Sequence, residues 1–203
     1  MGGDILTGVM DLSGIPLRAN VELKARLRDP LQGVERVVAV CRRIGAVDQG
    51  EEEQVDTYFS LGRYRLKLRE TARGGRPGRA YLIGYSRADG EQARKSQVRV
   101  KAVPDPLPLK AALSRQRGDK AEVRKRRRAF LWAGRVRIHL DRVEGLGAFL
   151  ELEAVLDPDR PEYDEDAARL DLARLGHDLG VEGRDLVPVS YSNLVPQRDP
   201  ALR

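Results

Sequence analysis

Glu151 and Glu153 stand two residues apart in "GLGAFLELE", and Arg137, His139 and Asp141 keep the same spacing in "RVRIHLD". In an extended chain that spacing puts side chains on one face. Carboxylates sharing a face hold hard divalent cations, and cationic side chains sharing a face hold phosphate oxygens. The alternation recurs in Glu22, Lys24 and Arg26, in Gln54, Asp56 and Tyr58, and in Arg65, Lys67 and Arg69. It returns in Tyr85 and Arg87 and in Lys125 and Arg127. Nine bases in these sets face five acids, and the four surplus positive charges call for an anion. Polyphosphate together with Mg²⁺ or Mn²⁺ satisfies bases and acids at once. A lone Cys41 excludes internal disulfides and thiolate-rich metal sites.

The elements that carry these residues read as strands. "NVELKARL" (20–27), "QVDTYFSL" (54–61), "RYRLKLRE" (63–70), "AYLIGYSR" (80–87) and "RKSQVRVKAV" (94–103) come first. "AEVRKRRRAFLW" (121–132) and the opening pair complete eight. Asp29 with Pro30 predicts a helix start, with Val34, Val37, Val38, Cys41 and Ile44 as its apolar stripe and Gly45 as its stop. Further helices are expected around 109–116 and 162–179, with a short last element in "VSYSNLV". Gly62 predicts a tight hairpin, and the Gly- and Arg-rich stretch 71–79 reads as a mobile loop.

Opposite the charged faces lie aliphatic ones: Val21, Leu23 and Leu27, Leu66 and Leu68, Val136, Ile138 and Leu140, Leu150 and Leu152. Helices covering these from outside would turn the charges inward. The expected fold is therefore α+β, an eight-stranded antiparallel β-barrel with a charged lumen and helices packed on the outside. The alternative is an open sheet whose charged face is simply solvated; repetition over seven strands favours the barrel. Residues 1–18 read as a flexible N-terminal extension, 19–195 as the domain and 196–203 as a tail.

A net charge of +6 favours anionic partners. The first eighteen residues contain Asp4 and Asp11 and no basic stretch of the signal-peptide kind, and no apolar run is long enough to span a membrane. The expectation is a cytoplasmic monomer or homodimer. Nucleic acid is not expected as partner, since no aromatic-rich RNA-binding motif accompanies the basic run 124–128.

"VELKARL", "QVDTYF", "RLKLRE", "VRKRR", "VRIHLD" and "GLGAFLELE", in that order, resemble the CYTH domain. That family comprises class IV adenylyl cyclases, thiamine triphosphatases and inorganic triphosphatases, within the triphosphate tunnel metalloenzymes. The stretch around "RIHLDRVEGLG" is most similar to bacterial proteins of the class IV adenylyl cyclase-like kind. The resemblance implies a tunnel that binds ATP or tripolyphosphate through Lys and Arg, with Mg²⁺ or Mn²⁺ on acids. The family's opening Glu-x-Glu-x-Lys falls on Asn20, Glu22 and Lys24, so an amide replaces the first acid.

The phosphate-binding candidates are Lys24, Arg26, Arg65, Lys67, Arg87, Lys125, Arg127 and Arg137. Candidate metal ligands are Glu22, Asp141, Glu151 and Glu153; salt bridging to lumen bases is the competing role for the last two. Lys67, Arg137 and His139 are the candidate catalytic residues, with a hydrogen-bonding place in the wall as the alternative for His139. Tyr58 and Tyr85 either orient a nucleoside or pack, and Cys41 reads as core. Cyclisation of ATP to cyclic AMP and pyrophosphate is the leading reading. Hydrolysis of tripolyphosphate or thiamine triphosphate is the alternative, and a non-catalytic polyphosphate- or RNA-binding module the second.

Overall fold

Alternation by two leaves each strand with one face to bury outward and one to point inward, and the chain resolves this by closing its sheet. The computed structural model describes residues 12, 14–61, 64–87 and 93–195, apart from the side chains of residues 60, 61, 64, 87 and 94. Its strands are β1 (Arg18–Leu27), β2 (Val47–Leu61), β3 (Tyr64–Arg73), β4 (Arg76–Arg87), β5 (Arg94–Val103), β6 (Asp119–Trp132), β7 (Val136–Val143) and β8 (Gly147–Leu156). They form a closed antiparallel barrel in the order β1-β5-β4-β3-β2-β6-β7-β8, with β8 pairing back onto β1. The acid-bearing strands β1, β7 and β8 are thus neighbours.

Four helices lie on this barrel: α1 (Gln32–Arg43), α2 (Pro106–Arg117), α3 (Glu165–Asp178) and the short α4 (Tyr191–Leu194). α1 and α3 cover β1, β7 and β8, burying Val37, Cys41, Leu172 and Leu175 against Val21, Ile138, Leu150 and Leu152. α2 covers the opposite side with Leu109 and Leu113 on Leu66, Leu68 and Leu82. Both clusters are outside the barrel, which frees the other faces for polar work.

Three local details differ from the sequence expectation. α1 begins at Gln32 rather than directly at Pro30, while Asp29 still accepts hydrogen bonds from the Leu31 and Gln32 amides, each 2.9 Å long. β2 begins seven residues early, because Glu51, Glu52 and Glu53 pair with Arg128, Arg127 and Arg126 of β6. The stretch 71–79 is not a loop: β3 runs to Arg73 and β4 resumes at Arg76. Gly74 (φ +56°) and Gly75 (φ +75°) supply the two positive φ angles of a tight two-residue hairpin. Gly62, residues 1–11 and the tail 196–203 lie outside the described residues. No helix among the described residues is long and apolar enough to cross a membrane.

Candidate active site

Register fixes the lumen. Asp56 of β2 lies directly across from Arg69 of β3, and Asp141 of β7 directly across from Arg127 of β6. Each Asp holds its Arg through two parallel bonds. Arg69 donates to both Asp56 oxygens at 2.7 Å, and Arg127 donates to Asp141 at 2.6 and 2.5 Å. Each also accepts from the lysine two residues before that Arg, Lys67 and Lys125, both at 2.9 Å. The barrel therefore contains two matching Asp–Arg–Lys clamps, one on β2–β3 and one on β6–β7. Both Asp side chains are fully buried behind their cations. A fork of this kind fixes the guanidinium plane before any ligand arrives.

The acids of β1 and β8 form the facing side. Glu22 lies directly opposite Glu153, and Lys24 opposite Glu151. Glu151 meets Lys24 at 3.1 Å and also takes a short bond from Arg127. Glu153 accepts from Asn20 at 2.6 Å and from Arg137 at 3.2 Å. Between the two sides is a cavity of about 320 Å³.

One end of the lumen is filled. Tyr191 of α4 packs with Tyr58, Val123, Val143 and Phe149, its ring edge-on to Phe149 at 5.1 Å. The Tyr191 hydroxyl donates to Asp141 at 3.0 Å, and Lys24 lies 3.8 Å above its ring. A segment far from the strands in sequence thus braces one clamp and seats one lysine.

The predicted site residues separate into groups. Glu22, Lys24, Lys67, Lys125, Arg127, Arg137, His139, Glu151 and Glu153 all line the one cavity. Asp141, expected among the metal ligands, sits behind Lys125, Arg127 and Tyr191, which occupy its oxygens. Arg26 is exposed at the barrel end, bonded to the Leu146 carbonyl at 2.5 Å and lying over the Phe149 ring. Arg65 is half-buried and is not among the side chains that line the cavity. The side chain of Arg87 lies outside the described residues.

These placements remove the expected positive surplus. Among the described residues, Lys24, Lys67, Arg69, Lys125, Arg127 and Arg137 line the cavity, against Glu22, Glu52, Glu151 and Glu153, with Asp56 and Asp141 behind. Positive and negative charges balance in number and are interleaved: four cations lie on β3 and β6, and Lys24 of β1 and Arg137 of β7 stand against the acids of β8.

Burial sets the protonation states. Lys67 is pushed down to about 7 by desolvation and by Arg69, against the opposing pull of Asp56. Lys125 falls to about 8 for the same reasons, with Arg127 as its cationic neighbour. Desolvation and Arg127 push His139 down to about 3, so its imidazole is neutral at pH 7 and contributes hydrogen bonding rather than charge. Burial alone would raise the Asp56 carboxyl; Arg69 and Lys67 overcome this and hold it well below the ordinary range.

The whole pattern from β1 to α4, residues 18–191, matches the model of the CYTH domain. The chain belongs to the CYTH domain family. Membership places it among adenylyl cyclase-like and triphosphatase enzymes, with the reaction open between them. No match to a curated protein is found. Among solved structures, a Pyrococcus horikoshii protein is 23% identical with a TM-score of 0.73, over 87% of this chain and 99% of its own. A candidate adenylate cyclase from Vibrio parahaemolyticus is 20% identical with a TM-score of 0.64, over 86% and 96%. A candidate adenylyl cyclase from Hippeastrum with a dominant triphosphatase activity is 12% identical with a TM-score of 0.51, over 78% and 88%. At these identities the likeness is one of fold.

The residues of this CYTH domain fit a hard divalent cation. Two carboxylates directly opposite each other, Glu22 and Glu153, can share one cation, and Glu153 also accepts from Asn20 and Arg137. Beside them the Asn20 amide oxygen is buried without a hydrogen-bond partner among the described residues. Carboxylate and amide oxygens are hard donors, which suits Mg²⁺ or Mn²⁺. Among the described residues no three His, Cys, Asp or Glu side chains stand together as a ready metal cage. Mg²⁺ is commonly held by one or two carboxylates and completed by substrate phosphates and water, so this arrangement suits a metal arriving with its substrate.

Sequence reading left Arg69, Asp56, Glu52 and Tyr191 out of the site. Arg69 and Asp56 were legible as members of alternating faces; only the register shows that one anchors the other. Tyr191 carried no signal in its own neighbourhood.

Proposed function

We propose that this CYTH domain is a metal-dependent enzyme acting on a triphosphate, with class IV adenylyl cyclase-like conversion of ATP to cyclic AMP and pyrophosphate as its reaction. The observation that carries the reading is the pair of Asp-anchored Arg–Lys clamps facing the Glu22–Glu153 pair across one cavity. Fixed guanidinium and ammonium groups stabilise charge on phosphate oxygens without reorganising during reaction. Lys67, Arg69, Lys125 and Arg127 grip the phosphate chain from one side, and Arg137 meets it nearer the half-exposed end of the wall. Mg²⁺ or Mn²⁺ on Glu22, Glu153 and the Asn20 oxygen, with Glu151 close by, would neutralise the remaining phosphate charge. With charges balanced in the free cavity, metal and triphosphate should strengthen each other's binding. Lys67, poised near neutrality, can hold or accept the proton of an attacking hydroxyl.

Hydrolysis uses the same groups, with water attacking the terminal phosphorus instead of the ribose 3′-oxygen attacking the α-phosphorus. The resemblance around "RIHLDRVEGLG" ranks cyclisation first. A surface for RNA has less support, since the outward Arg124, Arg126 and Arg128 face Glu122, Glu53 and Asp48. Incubation with ATP and Mg²⁺ or Mn²⁺ should yield cyclic AMP and pyrophosphate. ADP with orthophosphate would identify a triphosphatase, and intact ATP and tripolyphosphate with either metal would refute turnover.

Lys67 also predicts a pH dependence. It faces Asp56, Arg69 and Lys125, with the rings of Tyr58 and Tyr85 at 5.5 and 6.0 Å. Its folded value, about 7, is below the ordinary 10.5, so between these values the unfolded chain binds more protons. This group therefore makes the ligand-free protein more stable as pH rises through that window. Triphosphate restores the proton, so binding at pH 8 should take up protons and affinity should fall toward pH 9. Titration calorimetry in buffers of different ionisation enthalpy should show that uptake, and Lys67→Met should reduce it.

A further inference from the structure

Gln54 of β2 belongs to the lumen, yet neither clamp uses it, nor does the metal site. It is 4% exposed and lines the cavity between the clamps, directly across from Lys125 of β6 and from Thr71 of β3. Its Nε2 donates to Glu52 Oε1 at 2.6 Å, one same-face position along the strand. A carboxylate only accepts, so this bond fixes which way the amide points. The other end, Oε1, is buried and has no hydrogen-bond partner among the described residues.

An unpaired buried acceptor costs stability that an apolar side chain of the same length would spare. Its position says what comes to it. Phosphate oxygens are themselves acceptors, and Oε1 repels them. A metal ion is opposed by Lys125 and Arg127, which stand directly across from Gln54 and Glu52. The neighbouring protein donors are engaged: Lys125 and Arg127 on Asp141, Lys67 and Arg69 on Asp56, the Thr71 hydroxyl on the Arg79 carbonyl. What remains is an uncharged O–H or N–H that enters among the phosphates. In either triphosphate reaction the group that has to do so is the nucleophile.

Resting on the triphosphate reading, we infer that Gln54 positions the attacking hydroxyl, its Oε1 accepting that hydroxyl's hydrogen, and that Glu52 is the positioning residue that holds the amide in this sense. The bond turns an oxygen lone pair of the nucleophile toward phosphorus. As the oxygen–phosphorus bond forms, the bridging P–O bond breaks and its electron pair leaves with the departing phosphate. The nucleophile's proton goes to Lys67, and Gln54 neither gains nor loses one. Lys67 is bonded to Asp56, the next inward residue of β2, so acceptor and base occupy neighbouring places on the wall.

The test is steady-state turnover of ATP and of tripolyphosphate with Mg²⁺ by the full chain, beside pyrophosphate affinity by calorimetry. Gln54→Met keeps the length of the side chain and removes the acceptor. It should lower kcat about 100-fold, the scale of a misplaced nucleophile. KM and pyrophosphate affinity should stay within about twofold of wild type, since Oε1 touches no phosphate. That unchanged affinity also reports a folded lumen. Glu52→Gln leaves Gln54 in place but no longer compels its orientation. It should lower kcat about tenfold, with KM equal or lower because an acid leaves the wall. Wild-type kcat in Gln54→Met overturns the inference while the triphosphate reading stands. So does a rise in KM for ATP alone, which would give Oε1 to a donor on the organic group. Loss of pyrophosphate binding in both variants makes the pair structural and overturns it as well. If the wild type turns over neither substrate, the reading and this role fall together.

Discussion

Asp141→Asn should lower the melting temperature of the ligand-free protein by about 10 °C, the equivalent of about 3 kcal/mol for a domain of this size. The change is nearly isosteric, yet it strips the counter-charge from Lys125 and Arg127, whose side chains are almost wholly buried against it. Leaving buried charges uncompensated costs far more than the net worth of the intact bridge. Tripolyphosphate with Mg²⁺ should restore more stability to the variant than it adds to the wild type, because phosphate oxygens replace the missing carboxylate charge. Thermal unfolding with and without that ligand checks both statements. An unchanged melting temperature would mean that Asp141 anchors nothing.

Glu153→Gln should reduce metal-dependent turnover by about 100-fold or more, with the fold retained. Glutamine keeps an oxygen for Arg137, so the wall contact survives while the paired charge opposite Glu22 is lost. The variant should need far more Mg²⁺ to reach half-maximal rate, and its melting temperature without metal should fall slightly, since against the pull of burial neighbouring groups including Arg137 and Asn20 hold the ionised Glu153 carboxyl below its ordinary range. Initial rates across a Mg²⁺ series give the answer. Wild-type metal dependence in this variant would move the cation site away from Glu153.

The barrel was legible wherever polar and apolar residues alternate cleanly, as in "VELKARL" and "RVRIHLD", because one face then has to go inward. The first half of β2 was hidden, since in "DQGEEEQ" both faces are charged and the partner arginines are some seventy residues away in sequence. The Gly74–Gly75 turn was misread because adjacent glycines mark a floppy loop or a tight hairpin equally well, and only the pairing of β3 with β4 decides. At the site, residue type identified cations and acids, but not which acid lies behind which cation. Asp56 and Asp141 became anchors only once cross-strand register and burial were known.

On this reading the paired cations and acids that line the lumen form one site for a triphosphate and its metal. Calorimetric titration of orthophosphate, pyrophosphate and tripolyphosphate, each with and without Mg²⁺, tests it most directly. The predicted result is a ladder: affinity rises about tenfold or more with each added phosphate, and Mg²⁺ tightens the longest most. Equal affinities for all three anions, indifferent to Mg²⁺, would contradict it.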